Sequence, residues 1–294
     1  MKFLAKVLIT SIGTGIDLKA RNYKNIKYSF QDSQTVYETP LIADALSQHL
    51  KVDKIFMIGT NKSMWEEVYN YFSHPNQISV KEDPAVTIYE KIGEENEQSA
   101  LKEEDLTQVR KALDDYLQRI NPEASGGSLC KLIFYGKNNY EIINNFNIIM
   151  DLQNEIHPGD KIYLDITHAF RSIPLFLYLM IDFIQTLRKE DAIHLSGIFY
   201  GMVDGEKESA SIVDLNPLFQ ITQWTKGIYE FTNYGNVDLM VQLLEDGPLK
   251  DTMKNISNLS NLNFISSFID LFNFLESLIN KGVNVIFLFS KYFL

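Results

Sequence analysis

A chain of 294 residues and 33.9 kDa exceeds one ordinary domain and falls short of three, so one large domain with a smaller appendage is expected. Lys and Arg number 27 against 38 Asp and Glu, a net charge of −11 with a pI near 5.0, which argues against a basic face holding long DNA or RNA and is compatible with a small anion in a local pocket. One cysteine, Cys130, excludes a disulfide framework and a Cys-based zinc site, while the briefly apolar start and the lack of a long uncharged apolar run point to a cytoplasmic protein without a signal peptide or membrane span.

Short apolar runs alternate with longer amphipathic ones, the pattern of an α/β domain on a mostly parallel sheet. In chain order, a strand is expected over 5–12, then a tyrosine-rich β-hairpin over 23–38, a helix over 40–50, a strand over 54–58, and helices over 64–72 and 105–120. A strand at 131–135, a helix at 140–155, a strand at 161–167, a helix at 172–188, a strand at 195–203 and an edge strand at 211–215 complete the alternation. Residues 93–104 are polar and acidic and residues 122–128 hold Pro, Gly-Gly and two serines, so both read as exposed connections. After Leu215 the pattern becomes helical, over 216–234 and 237–244, which divides the chain into a sheet domain, 1–215, and a helical region, 216–294. From residue 255 onward there are seven Asn and seven Phe in forty residues; Phe264, Phe268, Phe272, Leu275 and Ile279 form a helical stripe ended by Lys281 and Gly282.

Ligands of parallel sheets gather at the carboxyl ends of the strands, where helix amino termini offer N–H groups to anions. Three loops lie there. In the first, Gly13, Thr14 and Gly15 either let the backbone approach a phosphate or make only a tight turn; Leu18 replaces the third glycine of a dinucleotide fingerprint, and a hairpin rather than a helix follows. In the second, Thr60 and Ser63 either donate to a phosphate or ribose beside Trp65 near a base, or Ser63 is an N-cap and Trp65 core. The third packs Asp165, Thr167, His168, Arg171 and Ser172 into eight residues between an apolar strand and an apolar helix. Pro174 suits a first helical turn and Ser172 a cap, whereas nothing structural requires His168 and Arg171. A Ser172–His168–Asp165 triad is disfavoured, because residues three and four apart across a turn do not converge in line and no nucleophile elbow is present. The histidines at 49, 74, 157, 168 and 194 lack metal-ligand spacing, so neither a metal nor another cofactor is expected.

The stretch from Asp165 to Pro174, DITHAFRSIP, resembles the Asp-x-Thr-His-Gly motif of CRISPR-associated proteins whose amino-terminal domain is a CARF (CRISPR-associated Rossmann-fold) sensor, with Ala169 in place of the usual Gly. Gly13-Thr14-Gly15, Tyr28 and Phe30, Gly59-Thr60 with Ser63-Met64-Trp65, residues 198–201, 212–215, Trp224 and Tyr234-Gly235 agree with that family in order and spacing. The resemblance implies a Rossmann-like fold, a two-fold homodimer, and a ring of four or six adenylates, the signal of a type III CRISPR interference complex, held between subunits by the three loops. Relatives of this kind usually continue into a helical HEPN ribonuclease with Arg and His four to six residues apart on one helical face. Here no Arg follows Arg188 and no His follows His194, and that pair spans a helix end and a strand start. Residues 216–294 therefore read as a truncated or atypical effector domain. Three functions stand: a ring nuclease using Thr14, Thr167, His168 and Arg171 as donors in metal-independent 2′-hydroxyl attack, a sensor without chemistry, and a truncated CARF–HEPN ribonuclease, the least supported.

Overall fold

The computed structural model describes residues 5–13, 23–31, 33–73, 84–94, 100–168, 172–204, 208–244 and 246–260. The chain forms two compact units, Met1–Leu215 and Asn216–Leu294. In the first, β1 (Lys6–Ser11) leads to the hairpin β2 (Ile26–Phe30) and β3 (Val36–Thr39), then α1 (Ile42–Leu50), β4 (Lys54–Thr60), α2 (Trp65–Ser73), α3 (Pro84–Gly93) and α4 (Thr107–Ile120). The strand β5 (Leu129–Ile133), α5 (Asn139–Asp151), β6 (Lys161–Asp165), α6 (Ile173–Leu187), β7 (His194–Asp204) and β8 (Ser209–Asp214) follow.

The eight strands make one sheet in the order β3-β2-β8-β7-β6-β1-β4-β5. From β7 through β6, β1 and β4 to β5 every pairing is parallel, with Ile9 of β1 opposite both Phe56 of β4 and Leu164 of β6. β1 and β4 are inner strands of this parallel part because their side chains are apolar on both faces, and all seven residues of β4 are buried. This is a Rossmann-like, mostly parallel sheet. The expected hairpin is present, with Tyr28 opposite Tyr37, but it changes the role foreseen for 211–215. β8 is an inner strand, antiparallel to β7 and parallel to β2, and β3 is the edge. Its alternating burial reflects one uncovered face, which a sequence pattern cannot distinguish from an edge.

Leu8, Ile12, Ile55 and Met57 join residues of α1, α2, α3 and α4 in one buried cluster that contains nothing from α5 or α6. Val7, Ile9, Phe56 and Ile58 alternate to the opposite face, the side covered by buried Ile149 of α5 and Ile173, Leu177 and Ile181 of α6. The helix α3 was not expected; Ala85, Ile88 and Ile92 bury its inner face. A polar knot ties the first layer together. The buried Asp44 of α1 accepts from Tyr71 of α2 (2.6 Å), Tyr116 of α4 and Gln48, and Thr39 at the end of β3 donates to Tyr71 (2.9 Å). The second unit contains α7 (Asn216–Tyr234), α8 (Asp238–Leu243) and α9 (Pro248–Ser260), the last of which was not expected. The expected stripe from Phe264 to Ile279 and its cap lie outside the described residues. Among the described residues no helix is long and apolar enough to cross a membrane.

Candidate functional site

Apart from the β2–β3 hairpin at the far end of the sheet, the chain runs from β1 outward through β4 to β5, then returns through α5 to β6 on the other side of β1 and continues to β7. The gap between the carboxyl ends of β1 and β6 is thus the point where the winding reverses, the place where open α/β sheets form a crevice. The three candidate loops follow β6, β1 and β4, which are neighbours in the sheet.

A hydrogen bond spans that gap. Thr10 of β1 donates from Oγ1 to Oδ2 of Asp165 at the end of β6 (2.6 Å), and Oδ1 of the same carboxylate accepts the backbone N–H of Thr167 (2.9 Å). Asp165 is 0 % exposed, so these donors replace its water. Asp165 is therefore a bracket rather than a reacting group. Oγ1 of Thr167 accepts the N–H of Gly201 on β7 (2.9 Å), and the N–H of Ile166 reaches the carbonyl of Phe199 (3.0 Å), so the loop leaves the strand in one fixed path. A Cβ at Gly201 would stand 2.7 Å from Cδ1 of Ile42 and 3.4 Å from Oγ1 of Thr167, so a larger residue there would make the end of the Ile42 side chain shift. His168 follows with its side chain exposed. Arg171 lies outside the described residues, as do Thr14 and Gly15. Ser172 occupies the N-cap position of α6 but its side chain makes no capping bond; its carbonyl accepts from Phe176 (3.1 Å).

In the second loop the three side chains are enclosed. Thr60, Ser63 and Trp65 are all 0 % exposed. Ser63 Oγ accepts from the Thr60 N–H (2.9 Å) and donates to the Ile12 carbonyl (3.1 Å), while the indole N–H of Trp65 donates to the Thr60 carbonyl (2.8 Å). Trp65 is enclosed in the core, and Ser63 stitches loop to strand. The Gly13 carbonyl accepts from the N–H of Met64 (3.2 Å), joining the first loop to the second. The three residues therefore help set where Gly13 stands, and their side chains are enclosed in this conformation.

Residues beyond those singled out from sequence also belong here. Thr10 is one, hidden inside an apolar strand; Ser11 is another, its hydroxyl buried at the end of β1 with no partner among the described residues. Tyr28 is buried on the same side as Asp165; burial, and then the neighbouring Asp165 carboxyl and Tyr23, push its phenol well above its ordinary pKa, so it stays protonated. Arg188, by contrast, is a strut. It binds Asp191 (2.6 Å) and the carbonyls of Gln153 and Ile156 (both 2.8 Å), so it and His194, the first residue of β7, form no reactive pair. Among the described residues no three metal-ligating side chains gather.

Comparison with known proteins bears on the whole chain. The family described as CRISPR system endoribonuclease Csx1, CARF domain, matches residues 7–203, and the family described as CRISPR-associated protein MJ1674, second domain, matches residues 220–293. The CRISPR-associated protein MJ1674 of Methanocaldococcus jannaschii is 40 % identical over 299 residues, covering 99 % of this chain and 46 % of that protein. The chain thus spans about half the length of this curated relative.

Proposed function

The chain belongs to the CARF domain family of CRISPR system endoribonuclease Csx1, and from that premise we propose that it is a cytoplasmic type III CRISPR ancillary protein that senses cyclic oligoadenylate at a two-fold homodimer groove. The observation that carries this reading is the switch point between β1 and β6, where the Thr10–Asp165–Thr167–Gly201 chain of hydrogen bonds fixes the first residues after β6, 165–167. Thr167 accepts from Gly201 and so retains its own hydroxyl proton to donate; His168 is exposed beside it, and Arg171 and Ser172 follow before the helix. Hydroxyl, imidazole and guanidinium suit phosphodiester oxygens. In this reading Gly13, Thr14 and Gly15 contribute further contacts, and the Met64 N–H that follows Thr60 and Ser63 ties down the Gly13 carbonyl. Isothermal calorimetry with cyclic tetra- and hexa-adenylate tests this reading. One ring is expected to bind, and Arg171→Ala to weaken it by about 1.5 to 3 kcal/mol, the scale of a hydrogen bond to a charged group. Binding of neither ring would refute it.

The exposure of His168 favours a second step, cleavage of the ring without a metal. A ribose 2′-oxygen bonds to the adjacent phosphorus, its proton passes to a base, the P–O5′ bond breaks and the 5′-oxygen takes a proton, with His168 serving one of these transfers. The products are a 2′,3′-cyclic phosphate and a 5′-hydroxyl. Single-turnover rates with EDTA present should fall in His168→Ala more than affinity does; a metal-dependent reaction ending in a 3′-hydroxyl would exclude this chemistry. Arg188 is engaged as a strut, so the pair Arg188 and His194 is not expected to cut single-stranded RNA.

A further inference from the structure

The hairpin brings further residues to the edge of the sheet where the three loops lie. β3 is antiparallel to β2, β2 parallel to β8 and β8 antiparallel to β7, so β3 points the same way as β1, and the residues that leave it, Pro40 and Leu41, emerge at that same edge. The next residue, Ile42, opens α1 and packs at the switch point: its Cδ1 and Oγ1 of Thr167 lie 2.7 and 3.4 Å from the place a Cβ of Gly201 would take. Pro40 and Leu41 line a cavity of about 230 Å³, together with Glu67, Asn70 and Tyr71 of α2 and with Tyr23 ahead of β2. α2 itself starts from the second loop, where the Met64 N–H holds the Gly13 carbonyl (3.2 Å), and Glu67 stands about one turn further on. One wall of the cavity thus adjoins the contact with Thr167, and the other is tied to Gly13. Both are built in advance of any ligand. The Tyr71 hydroxyl donates to the buried Asp44 (2.6 Å) and accepts from Thr39 (2.9 Å), and Asp44 also accepts from Tyr116, so β3, α1 and α4 together hold the Tyr71 ring.

We propose that this cavity takes one adenine base of the ligand, with Asn70 and Glu67 reading the edge of the base. The inference rests on the proposed function for the ring of nucleotides and deepens it by naming the residues that select the base. Three observations choose a base over the rest of a nucleotide. The cavity is smaller than the roughly 300 Å³ at which pockets for drug-sized ligands begin, so it suits a single flat heterocycle. The charge on its lining is a carboxylate, that of Glu67, which repels a phosphate and accepts from an amine. Tyr23 and Tyr71 supply aromatic faces, and the base is the part of a nucleotide that stacks. Asn70 is exposed, and its amide carries the donor and acceptor that pair with N7 and the N6 amine of adenine, while Glu67 takes the second N6 hydrogen. Guanine in the same pose would set O6 against the Glu67 carboxylate, two acceptors with no proton between them, so the cavity favours adenine. Consecutive Cα atoms are about 3.8 Å apart, which puts Leu41 on the order of 10 Å from the Thr167 hydroxyl. A phosphate at Thr167 and its base beside Leu41 then belong to one nucleotide.

Two variants of the full chain test the cavity. Asn70→Asp keeps the size of an exposed side chain and removes its N–H donors, and Glu67→Ala removes the acceptor; urea midpoints establish that both stay folded. Saturation-transfer NMR with adenosine and with guanosine, each at millimolar concentration, reads the cavity without any phosphate. Adenosine should bind at least tenfold more tightly than guanosine, and its signal should vanish in both variants. Calorimetry with cyclic tetra- and hexa-adenylate on the same samples should show at least a tenfold loss of ring affinity in each variant. No adenosine binding, guanosine held equally well, or adenosine binding that neither variant disturbs would overturn the proposal. A ring bound by both variants with wild-type affinity would overturn it too and leave the sensor reading standing. Adenosine held by the wild type and lost in the variants, with neither ring bound, would uphold the cavity and refute the sensor.

Discussion

Thr10→Val deletes one hydroxyl from a position that is 1 % exposed and leaves the backbone and β-branch of the strand as they were. The loss falls on Asp165, whose Oδ2 has Thr10 as its donor at 2.6 Å and which water cannot reach. Leaving a buried acceptor unsatisfied costs about 1 to 3 kcal/mol, and more for a charged one. The new buried methyl returns about 0.8 kcal/mol. A net loss of about 2 kcal/mol follows, which for a unit of this size lowers Tm by roughly 4 to 8 °C. Thr10→Ser keeps the donor and removes a methyl, at about 1 kcal/mol. Urea denaturation followed by far-ultraviolet circular dichroism, on the wild type and both variants at one pH, measures the difference. Because Asp165 also holds the Thr167 N–H, ring affinity should fall with the Val variant and be kept by the Ser variant. If Thr10→Val were no less stable than Thr10→Ser, the bridge across the switch point would contribute nothing and the placement of the third loop would need another cause.

Gly59→Ala should lose about 1 to 3 kcal/mol in the same denaturation assay, since its Cβ would lie 2.7 Å from Cγ1 of Ile12 and 2.9 Å from Cζ2 of Trp65; an unchanged midpoint would show that the second loop is not tightly packed. In a Trp224→Phe background the emission of Trp65 should be blue-shifted, poorly quenched by acrylamide and unmoved by saturating cyclic oligoadenylate; quenching by the ring would return the indole to the ligand. Burial pushes the Cys130 thiol well above its ordinary value of about 8.5, so the folded state keeps a proton that the unfolded chain releases, and stability falls as pH rises past that point. Between pH 8 and 10 the wild type should lose about 2 kcal/mol more than Cys130→Ala; equal losses would mean that the thiol ionises in the fold.

The parallel core was legible because β1, β4 and β6 are buried on two faces and so appear as unbroken apolar runs, and because each following helix repeats its apolar residues on one side. The inner position of β8 was not, since Ala210 and Ile212 alternate with polar residues in the same way on an edge and beside an uncovered face. In the site, the density of polar residues between an apolar strand and an apolar helix marked the loop 165–172, and their chemistry stood out because a junction needs so few of them. Thr10 gave no signal. Threonine is an ordinary strand residue, and its partner is 155 positions away. The second loop offered both readings of Trp65 because aromatic residues serve cores and ligands alike; only the Thr60 carbonyl meeting the indole N–H decides between them.

A buried carboxylate at a site proposed for phosphates looks self-defeating, and the geometry resolves the difficulty. Both oxygens of Asp165 accept from within the protein, one from a hydroxyl and one from a backbone N–H, so its charge is stabilised by inward-facing donors. Those bonds also orient the loop. With Thr10 turned toward Asp165, its hydroxyl has no role at the surface; with Gly201 filling an acceptor site on Thr167, the hydroxyl of Thr167 is left as a donor. The carboxylate thereby turns donors outward while its own acceptor capacity is taken up beneath them. Replacing Asp165 by Leu would remove the repulsion and still lose the ligand, because Thr10 and the Thr167 N–H would then compete for other acceptors and the loop would no longer be held in one path. On this account the acid is a condition for anion binding, and a gain in affinity on removing its charge in Asp165→Leu, read in the calorimetric assay, would contradict it.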